Sequence, residues 1–358
     1  MNSKVLALYL PQFHQIPEND EWWGEGFTEW SVVKKAKQLS KYSVQPRIPV
    51  MGYYDLSIVK NISKQAEIAK KYNVDGFVMY SYYSNGRMLL EKPAELLLNN
   101  EDIDIEFCFS WANHDWRRNW FSYNKELLRK QEYAESDEEI IAHFKYLLPF
   151  FKDKRYIKHL GKPVFFIYNY KAIPNMRQYM EVWDREAISN GFNGIYFVQT
   201  LGGQSLEWNK NLFEACFDFE PSFTSLQMKK EIVINSIKRR IAKVIEPKSA
   251  INYFDYNKVC DEMLKREDND PNHCLGIFTE WDNTPRHGIN GTVYKNFSLE
   301  SFERQVKGQL AKTRKYNKPF VIIDAWNEWG EGAFLEPDEW LKYGKLEIIK
   351  KYNKRNSD

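Results

Sequence analysis

Short apolar runs alternate with amphipathic segments along the whole chain. Such alternation is typical of α/β proteins, in which the strands of a parallel sheet are buried on both faces. The pattern predicts eight strands, at residues 5–9, 76–80, 107–111, 163–168, 194–199, 215–219, 275–279 and 320–325. Apolar residues at helical spacing predict helices between them, at residues 57–72, 93–98, 138–151, 176–189 and 298–316.

Eight strands alternating with helices favour a (β/α)₈ TIM-type barrel with elaborated βα loops over a doubly wound sheet. The sixth strand, residues 215–219, has the weakest pattern. No linker composition, repeat or low-complexity tract divides the chain. We therefore expect one barrel domain over residues 1–358, with a longer basic insertion around residues 222–272.

Composition narrows the classes of function. The 358 residues are 43% hydrophobic and 28% charged, with a formal net charge of +2. This balance is ordinary for a soluble globular protein and gives no electrostatic reason to expect nucleic acid as a partner. Motifs for zinc, calcium, nucleotide phosphates and dinucleotides are absent from the sequence, and so is a G-x-S-x-G elbow, so we expect neither a metal nor a cofactor.

Two features bear on location. The four cysteines have no C-x-x-C spacing and lie in or beside apolar segments, which predicts buried free thiols in a reducing compartment. Residues 5–10 are too short an apolar run for a signal peptide, and no stretch approaches the roughly 18 apolar residues of a membrane span. These features predict a cytoplasmic protein.

The basic segment from Lys229 to Lys243 has two interpretations. A solvated helix face is the usual one for a run of charges. The alternative is weak peripheral attachment to an anionic membrane surface where lipid-linked glycans are assembled. No feature of the sequence specifies an oligomeric state.

Aromatic residues are unusually frequent, at 16% of the chain with 12 tryptophans. Many lie in polar stretches rather than in apolar runs, namely Trp22, Trp23, Trp30, Trp111, Trp116, Trp120, Trp281, Trp326 and Trp329. So many rings beside Asn, Asp, Glu and Arg favour a flat-faced ligand such as a carbohydrate.

Residues just after each barrel strand are the candidates for binding, because barrel active sites form at that end. The substrate-binding candidates are Tyr9, Gln12, His14, Trp22, Trp23, Glu29, Trp30, Tyr82, Trp111, Asn113, Trp116, Tyr168, Trp281, Asp282, Asn283, Arg286, Trp326, Asn327 and Trp329. Structural alternatives remain for four of them. His14 could hydrogen-bond a neighbouring strand, Arg286 could pair with Asp282 across its own loop, and Asn113 and Asn327 could bridge loops.

Two glutamates after the last strand are the catalytic candidates. Glu328 and Glu331 would lie roughly 5–6 Å apart at their Cβ atoms over one helical turn, close to the carboxyl separation of about 5–5.5 Å in retaining glycosidases. An isolated pair with this spacing is more often a solvated helix start. The tryptophans and glycines around this pair favour a functional site instead.

Several strings in the chain carry a family resemblance. They are Tyr9-Leu-Pro-Gln-Phe-His14, Asn19-Asp-Glu-Trp-Trp-Gly24, Gly26-Phe-Thr-Glu-Trp30, Gln45-Pro-Arg47, Trp111-Ala-Asn113, Trp281-Asp-Asn-Thr-Pro-Arg286 and Trp326-Asn-Glu-Trp-Gly-Glu-Gly332. Together they resemble the WbsX-like family, which is related to the endo-α-mannosidases of glycoside hydrolase family 99. The resemblance implies a retaining (β/α)₈ barrel enzyme from a bacterial locus for O-antigen or capsular polysaccharide.

The resemblance also implies separate roles for the two glutamates. Glu331 would be the general acid/base at the glycosidic oxygen, and Glu328 the base that deprotonates the sugar 2-hydroxyl, so that the reaction passes through a 1,2-anhydro sugar. The third-strand loop departs from the family, because many members read Trp-Ala-Asn-Glu-Asn-Trp where this chain has His114 and Asp115. We expect this loop to alter the preferred glycan.

The expected activity is cleavage, or transfer, of an α-linked, mannose-like glycan in an oligo- or polysaccharide. A glycosyltransferase of lipopolysaccharide or capsule synthesis is the first alternative, although the diphosphate site of such an enzyme is not evident in a suitable place. A catalytically inert glycan-binding barrel is the second.

Overall fold

The computed structural model describes residues 3–118, 126–245 and 250–354. Its centre is a closed barrel of eight strands. In chain order they are β1 (Lys4–Tyr9), β2 (Gly76–Ser84), β3 (Glu106–Trp111), β4 (Lys162–Ile167), β5 (Tyr196–Leu201), β6 (Ala215–Asp218), β7 (His273–Phe278) and β8 (Phe320–Asp324).

Every neighbouring pair of barrel strands is parallel, and β1 closes the sheet by pairing with both β2 and β8. The (β/α)₈ prediction is confirmed, including its weak sixth strand. The apolar runs form strands because both of their faces are covered. All five residues of β8 are buried, and Val5 to Tyr9 on β1 are buried beside them.

Helices cover the outside of the barrel or lie in its loops. They are α1 (Pro17–Trp23), α2 (Trp30–Lys34), α3 (Val59–Lys71), α4 (Lys92–Asn99), α5 (Asp137–Lys152), α6 (Met176–Ser189), α7 (Ser222–Gln227), α8 (Lys229–Ile245), α9 (Tyr256–Lys265), α10 (Thr284–His287), α11 (Leu299–Lys315) and α12 (Gly344–Tyr352). The short helices α1, α2 and α10 lie in the loops after β1 and β7. The five predicted helices agree with α3, α4, α5, α6 and α11 to within two residues at each end. Ser136 begins α5 with a capping box to Glu139, which stabilises the first turn of the helix.

Two local expectations need correction. The first predicted helix, residues 57–72, starts before α3 does, so Ile58 lies outside the helix and is 51% exposed. Strand and helix also do not alternate throughout, since residues 202–214 join β5 to β6 without a helix. There the Gln199 side chain hydrogen-bonds the Glu207 carbonyl and the Asn209 amide, which holds the segment as a compact loop.

The predicted basic insertion is a small helical layer after β6. It comprises α7, α8, the short strand Asn252–Asp255 and α9. Phe254, Tyr256 and Val259 pack with Phe278 of β7 in a second apolar cluster.

His273, the first residue of β7, lies between two aspartates. Its Nε2 lies 2.6 Å from Asp218 Oδ1, and Asp268 contacts Nδ1. These carboxylates outweigh burial and raise the pKa of His273 to about 12.

The cysteine and membrane-span predictions can be checked directly. Cys108, Cys216, Cys260 and Cys274 are all buried free thiols, as predicted. Among the described residues, no helix is both long and apolar enough to cross a membrane.

Candidate active site

A pocket of about 480 Å³ opens at the carboxyl ends of the strands. Nine of the predicted residues line it, namely Gln12, Trp23, Tyr82, Trp116, Tyr168, Trp281, Arg286, Glu328 and Glu331. They come from six different strand-end loops, and the closed barrel brings them to one place.

Arg286 is the centre of the site. Its Nη2 donates to Glu328 Oε1 at 2.5 Å, and its Nη1 donates to Glu331 Oε1 at 2.7 Å. Its Nε donates to Glu29 Oε1 at 2.9 Å. One planar guanidinium therefore holds three carboxyl groups in fixed relative positions. The alternative pairing of Arg286 with Asp282 is wrong.

The backbone after β8 places the two glutamates side by side. A short 3₁₀ helix, Trp329–Glu331, follows Glu328 and puts both carboxyl groups on the same guanidinium. Only glycine fits at position 330, because a Cβ there would lie 1.9 Å from Glu29 Oε1 and 2.9 Å from Arg286 Nε. The glycine in the string thus allows Glu29 and Arg286 to approach the turn.

Burial shifts the ionisation of this cluster. Burial, opposed by Arg286 and assisted by the neighbouring carboxylates, raises the pKa of Glu328 to about 8. Burial likewise raises the pKa of Glu29. Asp324, the last residue of β8, is fully buried, and burial together with the charges of Glu328 and Glu331 raises its pKa well above the ordinary range.

The balance of charges also indicates that this site holds protons near neutral pH. Among the described residues, four carboxyl groups, from Glu29, Asp324, Glu328 and Glu331, share one region with one buried guanidinium, that of Arg286. Like charges in a low-dielectric site cannot all ionise, so the site retains protons near neutral pH. A group with a pKa near 8 can both hold and release a proton there, as acid/base chemistry requires.

Aromatic rings form the walls of the pocket. Tyr82 and Trp116 lie 5.1 Å apart at their centroids, and Trp22 packs against Trp116 at 5.4 Å. Trp281 and Tyr168 line other sides. Flat apolar faces beside carboxyl and amide groups suit a ligand that has both apolar faces and hydroxyls.

Other predicted residues lie behind the pocket wall and hold its loops. Asn327 hydrogen-bonds both backbone groups of Leu10, and Asn113 bridges to Asn169. His14 Nδ1 lies 2.9 Å from the Pro11 carbonyl. The loop-bridging alternative thus describes the observed contacts of both asparagines, and His14 contacts its own loop rather than a neighbouring strand.

The seventh loop is braced in a similar way. Asp282 accepts hydrogen bonds from Ser43 Oγ, Gln45 Nε2 and the Thr284 amide, and Asn283 Oδ1 accepts from the Thr292 amide. These bonds fix the short helix α10, which carries Arg286.

Five predicted aromatic residues are buried in packing instead of facing the pocket. They are Tyr9, Trp30, Trp111, Trp326 and Trp329. Trp329 stacks on Phe334 at 3.8 Å and donates its indole N–H to Glu336, which keeps the turn after β8 rigid. Trp120 lies outside the described residues.

Sequence reasoning left out several residues that line the pocket, namely Tyr80, Arg117, Gln204, Phe219 and His287. Most of them follow a predicted strand, so the same strand-end rule could have found them. His114 and Asp115, whose loop was expected to alter the preferred glycan, line the pocket as well. Asp324 was treated as part of the apolar run of β8, and only its buried carboxyl beside Glu328 distinguishes it.

Metal binding has no candidate site in the described ranges. No group of three or more His, Cys, Asp or Glu side chains there could hold a metal ion. Arg286 occupies the position among the three glutamate carboxyls that a cation would take.

Comparison with solved structures shows the same fold. One is the endo-α-mannosidase of glycoside hydrolase family 99 from Bacteroides thetaiotaomicron, with 14% identity, a TM-score of 0.56, and coverage of 98% of this chain and 96% of that one. Another, described as a glycoside hydrolase-like protein, has 13% identity, a TM-score of 0.60, and coverage of 99% and 94%.

Sequence comparison gives the family. The uncharacterized protein WxcX of Xanthomonas campestris pv. campestris strain B100 is 31% identical over an alignment of 364 positions that covers 99% of this chain and 50% of that protein. This chain thus spans about half the length of its curated relatives. A family model described as glycosyltransferase WbsX matches residues 5–349. The chain therefore belongs to the WbsX family.

Proposed function

We propose that this protein is a carbohydrate-active enzyme that cleaves an α-glycosidic bond of a mannose-like sugar in bacterial cell-surface polysaccharide. The observation that carries the proposal is the pair Glu328 and Glu331, held on one guanidinium at the base of an aromatic-walled pocket. The fold shared with an endo-α-mannosidase supports this substrate class, and the WbsX family match supports action on a glycan.

The proposed reaction uses the substrate's own 2-hydroxyl as nucleophile. Ionised Glu328 takes the 2-hydroxyl proton while O2 attacks C1, and the C1–O bond to the leaving group breaks. Glu331 gives its proton to the departing oxygen. Water then attacks C1 with Glu331 as base, the C1–O2 bond breaks, and Glu328 returns its proton to O2, so that the anomeric configuration is retained. No enzyme carboxylate forms a covalent bond in this sequence.

With a pKa of about 8, Glu328 holds a proton near neutral pH, whereas its proposed role requires the ionised form. Because both carboxyl groups contact adjacent nitrogens of Arg286, a proton can pass from Glu328 towards Glu331 through a bound hydroxyl or water. The side chain of Glu331 is 20% exposed and that of Glu328 is 11% exposed, which fits an acid that meets the leaving group at the pocket side.

Arg286 is a positioning residue in this proposal. Its guanidinium balances the charge that stays on the glutamate pair when one proton moves, and it fixes the angle between the two carboxyl groups. Glu29 holds Arg286 from the opposite side.

The third-strand loop sets part of the glycan preference. His114 and Asp115, which replace a Glu-Asn pair common in the family, both line the pocket. His114 is exposed at the pocket, but the packing around its ring removes enough water to lower its pKa. The ring is therefore neutral at pH 7 and can accept a hydrogen bond from a sugar hydroxyl or donate one to it.

A glycosyl transfer activity is the second candidate, favoured by the description of the family as glycosyltransferase WbsX. Retaining glycosidase machinery can pass the sugar to an acceptor other than water. Incubating the protein with α-linked oligosaccharides, with and without a nucleotide sugar, separates the two. Cleavage without the nucleotide sugar supports the hydrolase. Product that forms only with the nucleotide sugar overturns it.

A further inference from the structure

Helix α8 exposes an apolar face that nothing in the described chain covers. Five aliphatic side chains are between 47% and 84% exposed, namely Val233, Ile234, Ile237, Ile241 and Val244. At 3.6 residues per turn they fall within an arc of about 100°. Single exposed aliphatics are ordinary, but a contiguous stripe marks an interaction surface.

The opposite side of α8 holds the helix on the protein. Ile232 packs against the apolar cluster around Phe254, and Arg239 donates to the Ala250 carbonyl and to Asn290. Both residues lie roughly half a turn of the helical wheel away from the exposed stripe. The stripe therefore points away from the barrel because of how the helix is anchored, not because the helix is loose.

Basic residues border the stripe. Lys229 and Arg240 lie along one edge and Lys238 along the other, while Lys230 lies at its amino-terminal end, and all four are exposed. The helix has one acidic residue, Glu231, on the side that faces the protein. The free face is thus apolar in the middle and cationic at its borders.

We propose that α8 docks in the headgroup region of an anionic lipid membrane. An apolar arc flanked by Lys and Arg is the pattern of helices that lie in the membrane interface. Charge complementarity selects an anionic surface. A protein partner fits less well, because the stripe contains only Val and Ile, whereas protein–protein hot spots are rich in Trp, Tyr and Arg.

The proposed docking is peripheral and reversible. One helix with five aliphatic side chains inserts far less apolar surface than a spanning helix does. Helix α8 starts two residues after α7, whose first residue, Ser222, lines the pocket. The docking face and the pocket are thus linked through α7.

Vesicle co-sedimentation tests the proposal on the intact protein. We expect binding at low salt to vesicles of equal parts phosphatidylcholine and phosphatidylglycerol, and no binding to phosphatidylcholine alone. The double variant Ile237→Gln/Ile241→Gln should weaken binding by on the order of tenfold for each isoleucine. Gln is a better helix former than Ile, so loss of helix cannot explain that result.

Matched controls isolate the helix. Ile188→Gln, on α6, replaces an isoleucine that is 62% exposed and should leave binding unchanged. Lys238→Gln/Arg240→Gln should weaken binding by about fivefold for each charge, whereas Lys145→Gln on α5 should not. Ile237→Cys allows selective labelling with an environment-sensitive fluorophore, because the four native cysteines are buried. The label should shift to the blue on phosphatidylglycerol vesicles.

Three results overturn the proposal. One is absence of binding to the phosphatidylglycerol vesicles at low salt. Another is binding that the α8 variants leave unchanged. The third is a dimer in analytical ultracentrifugation that Ile237→Gln/Ile241→Gln converts to monomer, together with no vesicle binding, which would assign the stripe to a second copy of the chain.

Discussion

Replacing Arg286 by glutamine tests whether this guanidinium balances the charge of the carboxyl cluster. Arg286 is only 11% exposed and contacts three glutamates. At an effective dielectric constant of about 20, one pair of charges roughly 4 Å apart interacts by about 4 kcal/mol. Removing one partner of a buried ion pair typically costs about 3–5 kcal/mol, because the other charge is left uncompensated.

The loss of stability should depend on pH. Glu29 and Glu328 have folded-state pKa values above those of the unfolded chain, so each favours folding at low pH and loses that contribution as the pH rises through its folded pKa. At pH 5 Glu328 is protonated, so the guanidinium has less charge to balance there than at pH 9. The deficit should grow as the pH rises through about 8, where Glu328 ionises, and reach about 3–5 kcal/mol near pH 9.

Urea unfolding followed by tryptophan fluorescence at pH 5 and pH 9 measures this difference. The control is Arg304→Gln on α11, whose pair with Asp261 is largely exposed, and we expect a loss of about 0.5 kcal/mol or less at both pH values. A deficit of equal size at pH 5 and pH 9 for Arg286→Gln, or none at either, would refute the charge-balance argument.

Three further outcomes follow. Gly330→Ala should lower kcat by about a hundredfold, because the new methyl group displaces Glu29, which holds the guanidinium of Arg286. Gly203→Ala is the control: the nearest atom to its methyl group would lie 3.9 Å away, and kcat should not change. Glu331→Gln should lose about 10²–10⁴-fold activity on a natural linkage but keep most of its activity on a dinitrophenyl glycoside, because that leaving group needs no proton. Glu328→Gln should lose activity on both substrates. The opposite pattern would exchange the roles of the two glutamates. His273→Gln should destabilise the protein by about 3 kcal/mol at pH 6 and by less at pH 10. A histidine with a folded pKa of about 12 stabilises the fold fully below its unfolded pKa of about 6.5, and this stabilisation is lost as the pH rises towards the folded pKa. Equal losses of unfolding free energy in urea at both pH values would contradict this.

The periodic features of the sequence predicted most of the fold. Strands buried on both faces read as continuous apolar runs, so all eight barrel strands were found, and the amphipathic stripes of α5 and α6 were found in the same way. The connection at residues 202–214 was not predictable, because its conformation depends on side chains such as Gln199 that bind its backbone.

The site was only partly predictable. Strand-end position identified Glu328, Glu331 and Arg286, but it could not separate residues that line the pocket from those that brace its loops. Asn327 and Trp329 belong to the same string as the glutamates, yet one holds Leu10 and the other stacks on Phe334. Such differences depend on side-chain direction within an irregular turn, which has no periodicity in the sequence.

The contacts of Arg286 were missed for a related reason. Sequence proximity favoured Asp282, four residues away, as its partner. The barrel instead brings Glu29 from the first loop and both glutamates from the last loop to α10. Contacts between residues so distant in the chain follow from barrel closure, which local patterns do not encode.

The most direct test of the central claim is proton NMR of the reaction with an α-linked mannose oligosaccharide. We predict that the wild type releases the α-anomer first, that the analogue lacking the 2-hydroxyl at the reacting sugar is not cleaved, and that Glu328→Gln is inactive on both. Initial release of the β-anomer, or cleavage of the 2-deoxy analogue at the wild-type rate, would contradict a retaining reaction that uses Glu328 and the substrate's 2-hydroxyl.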